Sequence, residues 1–160
     1  GGRYDFSRLH GTLYGFYHTD ADHTWAARLR ATASFGEVPE QYRTALVSRG
    51  ILRGFALGDA PLVRHSVAGS LEYRFRIDTP PWFDELGLQD WWGAVFVDAG
   101  VGANSYEGLL RSSIYADVGV TGRARVKYLG IPIYVWGSVA WPVSGRSGSP
   151  RVTLGLDWAF

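Results

Sequence analysis

Residues 151–160 alternate without a break. Val152, Leu154, Leu156, Trp158 and Phe160 fall on one face, and Thr153, Gly155, Asp157 and Ala159 fall on the other. A period of two is the signature of a strand, because successive side chains point to opposite sides of a pleated backbone. One face of this strand suits hydrocarbon and the other suits water, which is also how a strand of a transmembrane barrel reads.

The same split recurs along the chain. Alternation predicts seven strands, at about 3–17, 24–35, 62–77, 91–103, 110–127, 132–142 and 150–160. In the second, Trp25, Ala27, Leu29, Ala31, Ala33 and Phe35 oppose Ala26, Arg28, Arg30, Thr32 and Ser34. In the third, Leu71, Tyr73, Phe75 and Ile77 oppose Ser70, Glu72, Arg74 and Arg76. In the fifth, Ile114, Ala116, Val118, Val120, Ala124 and Val126 oppose Ser113, Tyr115, Asp117, Thr121, Arg123, Arg125 and Lys127.

Composition sharpens the choice among all-β architectures. Hydrophobic residues make up 46% of the 160 positions, enough for a water-soluble sandwich core. However, 21 glycines, 15% aromatics and the absence of cysteine and methionine are closer to what membrane barrels use. A net charge of +1 carries no nucleic-acid footprint. The longest uncharged run, from Tyr128 to Gly145, is interrupted by Pro132, Gly130, Gly137 and Pro142 and is no membrane helix.

The connections at 18–23, 78–90 and 128–131 are compact, whereas those at 36–61, 104–109 and 143–149 are longer or rich in glycine and serine. In a barrel this asymmetry separates periplasmic turns from extracellular loops. It would place Trp25, Trp82, Trp91, Trp92, Tyr128, Trp158 and Phe160 at one membrane interface, and Tyr106 and Trp141 at the other.

Three short motifs follow one another in a fixed order. Leu52-Arg53-Gly54-Phe55 lies in the 36–61 connection, Glu72-Tyr73-Arg74-Phe75 on the third strand, and Phe96-Val97-Asp98-Ala99-Gly100 on the fourth. With the Gly155-x-x-Trp158-x-Phe160 ending, which is similar to the assembly signal of outer-membrane barrels, the set resembles the BamA/TamA/two-partner-secretion transporter superfamily. The resemblance implies an all-β transmembrane antiparallel barrel of about sixteen strands, of which residues 1–160 would be the last seven. About nine more would come from upstream polypeptide, a separate chain or symmetry copies, because seven strands leave open edges and an odd count.

Under the same resemblance the 36–61 loop folds into the lumen, Arg53 is its tip cation, Glu72 and Asp98 are the acids that dock it, Phe96 and Gly100 flank the acid on its strand, and Gly155, Trp158 and Phe160 form the C-terminal assembly signal. The chemistry is sound independently of family: an arginine between two carboxylates makes charge-assisted, bidentate bonds, and a glycine beside it gives the backbone freedom to turn. Ser48-Arg49-Gly50-Ile51 departs from the family pattern, and Arg53 is preferred to Arg49 because Gly54-Phe55 follows it.

The implied function is insertion of outer-membrane proteins or translocation of polypeptides, in the bacterial outer membrane. Its partners would be the lipid bilayer, the remaining strands, client polypeptides and the barrel-assembly machinery. Neither a cofactor nor bond chemistry is implied. The alternatives are an anchor or exporter for a fused lipase-like passenger, and a passive pore.

Other candidates read less sharply. His18-Thr19-Asp20-Ala21-Asp22-His23 has metal-binding composition but lacks a second ligand cluster, so it is read as a polar turn. His10 and His65 are isolated. No nucleophile-elbow pattern surrounds Ser66, Ser70, Ser112 or Ser113. The basic set Arg28, Arg30, Arg74, Arg76, Arg123, Arg125 and Lys127 is either a solvated wall or an electropositive surface for acidic clients.

Overall fold

The computed structural model describes residues 5–47, 51–78, 81–85, 87–128, 131–144 and 148–158. The long strands are β1 (Phe6–His18), β2 (His23–Gly36), β5 (His65–Ile77), β6 (Leu88–Ala103), β7 (Tyr115–Tyr128), β8 (Ile131–Ser144) and β9 (Arg151–Trp158). They form one antiparallel seven-stranded sheet in the order β1-β2-β5-β6-β7-β8-β9. The two-residue strands β3 (Thr44–Ala45) and β4 (Leu62–Val63) pair with each other inside the β2–β5 connection. Two short helices, α1 (Trp82–Glu85) and α2 (Tyr106–Arg111), lie in the next two connections.

Cross-strand register sorts the side chains into two faces. On one, Asp98 stands opposite Asp117 and Phe96 opposite Gly119, with Ser70, Glu72, Ala140 and Arg151 on the same side. On the other, Leu13, Leu29, Leu71, Val97, Val118, Val135 and Leu154 supply one exposed aliphatic residue from each strand. No Asp, Glu, Lys or Arg occupies an outward position in the middle of any of the seven strands. The main apolar core lies on the inward side. There Leu46, Val47, Ile51, Leu52, Phe55 and Ala60 of the β2–β5 connection pack on Ala68 and Tyr115.

Local features steer that connection inward. The chain leaves β2 through Gly36 at φ 84°, a left-handed conformation open to glycine, and Arg64 Nη2 donates to the Gly36 carbonyl at 2.6 Å, closing the base of the loop. The β3–β4 pair joins the two limbs above that base. At the sheet, Gly100 leaves the space the loop needs: a Cβ there would come within 3.1 Å of Leu52 Cδ1 and 3.3 Å of Leu46 Cδ1.

The seven strands fall near their predicted places, but their closure and one boundary do not. The sheet is open, with β1 and β9 at its edges, so the closed transmembrane barrel of about sixteen strands is corrected to an open all-β sheet. An open edge leaves a row of backbone donors and acceptors unpaired, and hydrocarbon penalises each by several kcal/mol. Among the described residues, no helix is long and apolar enough to cross a membrane.

The fifth strand, predicted from residue 110, begins at Tyr115 because residues 106–111 form α2. Its N-cap Ser105 accepts from the Gly108 N–H at 3.0 Å, and regular alternation starts only beyond it. The predicted aromatic girdles are local contacts instead: Trp25 packs on Tyr73 at 4.9 Å, Trp91 meets Phe83 edge to face at 5.4 Å, and Tyr106 lies 4.1 Å from the His65 ring.

A Cβ at Gly119 would overlap the Phe96 ring and the Val139 carbonyl, whereas one at Gly122 on the same strand meets nothing within 4 Å. Gly119→Ala should lower stability by about 1–3 kcal/mol through overpacking. Gly122→Ala should change it by less than about 0.5 kcal/mol, as a substitution into open space does. Urea denaturation of the two variants checks the contrast.

Candidate functional site

The tip of the inward loop is a tight turn in which the Phe55 N–H donates to the Leu52 carbonyl at 3.1 Å. Its left-handed residue is Leu52, at φ 58°, rather than Gly54. Leu52 is fully buried among apolar neighbours. Gly54 serves a different need from the freedom to turn that the sequence suggested. A Cβ at Gly54 would stand 2.8 Å from Asp117 Cβ and 3.2 Å from the Pro142 nitrogen, so the glycine permits the tip to touch β7 and β8.

This turn aims Arg53 at two strands. Nε and Nη2 donate to Asp98 Oδ2 and Oδ1, each at 2.9 Å, in a bidentate fork. Nη1 donates to Glu72 Oε1 at 2.7 Å, and Nη2 also reaches Ser70 Oγ at 3.0 Å. The guanidinium lies flat on the Phe96 ring, 3.3 Å from its centroid, and Phe96 in turn rests on the space left by Gly119. The Arg53 N–H adds a long bond of 3.3 Å to Asp98 Oδ2. Glu72 is shared with Arg74, whose Nε donates to Oε2 at 2.8 Å.

Besides Ser70, three participants beyond the motif residues complete the attachment. Asp117 Oδ2 accepts from the Gly54 N–H at 3.1 Å, Phe55 packs edge to face on Tyr115 at 5.5 Å, and Arg151 Nη1 of β9 donates to the Phe55 carbonyl. The sequence placed Asp117 on the polar face of its strand, but only the β6–β7 register sets it against Asp98. Arg151 and Ser70 carried no motif at all.

Burial and charge act in opposition here. Burial pushes the Arg53 guanidinium down, yet its bonds and attraction to Asp98 and Glu72 outweigh that and hold it above the usual arginine value. Burial pushes Glu72 up, and Arg53 and Arg74 together bring it below the ordinary carboxylate value. Asp117 goes the other way: burial, with Asp98 beside it, pushes it up to about 7.

The structure thus brings Arg53, Gly54, Phe55, Glu72, Asp98, Phe96 and Gly100 into one cluster. It does not bring the C-terminal set there. Gly155 lies beneath Trp136, whose indole occupies the place a Cβ would take, so this glycine seats a ring. Trp158 pairs with Ile133 through the backbone of β9, and Phe160 lies outside the described residues, as does the Ser48-Arg49-Gly50 departure. In the basic set, Arg76 faces Asp22 at 3.9 Å and Asp90 at 3.7 Å, and Arg125 holds Asp90 at 2.6 Å. Arg123 lies over the Tyr134 ring at 4.1 Å. Much of this wall is internally compensated. In the polar turn, Asp20 accepts from His23 Nδ1 at 2.8 Å and His18 bonds Thr24 at 2.9 Å.

Removing one member of a buried ion pair leaves its partners uncompensated. Arg53→Gln should therefore cost about 3–5 kcal/mol. Arg74 is 43% exposed, and Arg74→Gln should cost less than about 1 kcal/mol. Guanidinium denaturation, with hydrogen exchange at residues 51–55 as a local readout, checks both.

No protein-family model matches the chain, and no curated protein matches it. Membership of the BamA/TamA/two-partner-secretion superfamily is accordingly withdrawn. The outer-membrane location, the bilayer, assembly-machinery, client and remaining-strand partners, and the insertase, exporter-anchor and pore functions all rested on that membership and on a closed barrel. The open sheet removes their structural basis.

Proposed function

We propose that this chain is a non-catalytic interaction scaffold, a sheet whose inner face is sealed by its own loop and whose outer face docks on the apolar surface of a protein partner. The outer face carries the reading. Leu9, Leu13, Leu154 and Leu156 each expose 70% or more of their surface, on a face with no charge in the middle of any strand. Contiguous exposed aliphatic surface of this extent marks a site that another surface covers. The Arg53 cluster supports the reading from the other side. It consumes charged groups in fixing one loop to β5, β6 and, through Gly54 and Phe55, to β7 and β9, which is the chemistry of a brace. The open strands β1 and β9 add unpaired backbone at which a partner sheet can continue.

In the absence of its partner, the purified chain should bury this face by self-association. Leu71→Lys, Val97→Lys and Val120→Lys together should weaken that association by about a hundredfold or more, since each buried aliphatic contributes about 1.5–3 kcal/mol. Sedimentation against concentration, with circular dichroism to verify retained sheet, makes the test. A wild-type chain that stays monomeric and binds no apolar dye would sink the proposal.

A further inference from the structure

Asp98 and Asp117 form a carboxyl pair that the brace alone does not explain. They stand directly opposite each other on β6 and β7, on the same face, and neither exposes any surface. The ion pairs beside them close without Asp117, because Arg53 and Arg74 pair with Glu72 and Asp98. An ionised Asp117 would be a fully buried charge with no cation in direct contact. Its two oxygens differ accordingly: Oδ2 takes the Gly54 N–H, whereas Oδ1 is buried with no donor facing it and is the natural seat of a proton.

The other elements packed here do not supply a countercharge dedicated to Asp117. Arg53 on the loop tip is bonded to Asp98 and Glu72, and Arg151 on β9 keeps its charge but directs Nη1 to the Phe55 carbonyl rather than to Asp117. On β8, Pro142 and Ala140 face the site, and on β7 its neighbour on the same face is Tyr115.

We infer that Asp117, set against Asp98, holds a proton when the loop is docked, and that this proton makes the attachment of residues 51–55 a latch that weakens as the surroundings become less acidic. The reading goes beyond the scaffold proposal and is independent of what covers the outer face. The sign follows from linkage. Asp117 has an ordinary value of 3.8 and is pushed up to about 7 in the docked state, so docking binds the proton more tightly than release does. The latch is at full strength below about pH 4, weakens as pH rises, and levels off above about pH 7.

Between those limits one proton should raise the undocking equilibrium by up to about tenfold per pH unit. The test measures hydrogen exchange at residues 51–55 of the full chain from about pH 4 to pH 8.5, corrected for intrinsic exchange rates, together with the side-chain carboxyl carbon shift of Asp117. The expected result is opening that grows with pH and then levels off, with an Asp117 midpoint near 7, and a flat profile in Asp117→Asn. A flat wild-type profile, or an Asp117→Asn variant that keeps the wild-type slope, would overturn the inference. Should Asp117→Asn fail to dock its loop, the wild-type carbon titration decides alone: a midpoint near 7 upholds the proton on Asp117 and one below about 5 rejects it.

Discussion

One guanidinium organises the inner half of this molecule. Arg53 is held in a fork by Asp98, capped by Glu72 and Ser70, and laid on Phe96. A buried cation is tolerable only where every direction it faces returns charge or a π surface, and small changes around such a group have large costs. Its neighbours read as consequences of that demand. Gly119 makes room for the ring that supports it, Gly100 for the loop leucines that surround it, and Gly54 for the approach of its backbone to Asp117. The apolar packing of Leu46, Ile51, Leu52 and Phe55 then excludes water from the cluster. Charge and packing reinforce each other, since each bond gains strength as solvent is removed.

The two faces of the sheet divide the labour. Inward positions carry the polar, aromatic and small residues that grip the loop, and outward positions carry aliphatics with no internal partner. In an ordinary sandwich the apolar face is the inner one. Here the chain fills its polar face from within and leaves its apolar face for something else, and the scaffold proposal rests on this inversion.

Much of this was legible from local pattern. Alternation located all seven long strands and assigned Glu72, Asp98 and Asp117 to one side, because a period of two is imposed by the backbone itself. What alternation cannot encode is long-range register and closure. The pairing of Asp98 with Asp117 depends on how β6 and β7 slide past each other, and the reach of Arg151 to Phe55 depends on where β9 ends up. Strand count and polarity suggested a closed barrel, but whether the first and last strands meet is a property of the whole sheet, and here it stays open. The helix at 106–111 was missed because it is short and follows directly on a strand, with Ser105 as its main sign. Gly54 was credited with freedom to turn when its role is the space it leaves.

The bond from Arg151 to the Phe55 carbonyl joins residues 96 positions apart, and the same turn already depends on partners at 70, 72, 98 and 117. Such distant partners are brought together late in assembly, since closing long stretches of chain is entropically slow. The whole turn therefore cannot be secured by a fragment of the sheet: Arg53 finds its acids on β5 and β6, but Gly54 needs β7 and Phe55 needs β9. It acts as an internal inspection, in which a molecule lacking its last strand, or carrying a slipped one, leaves the Phe55 carbonyl without its Arg151 donor and the far end of the turn untied.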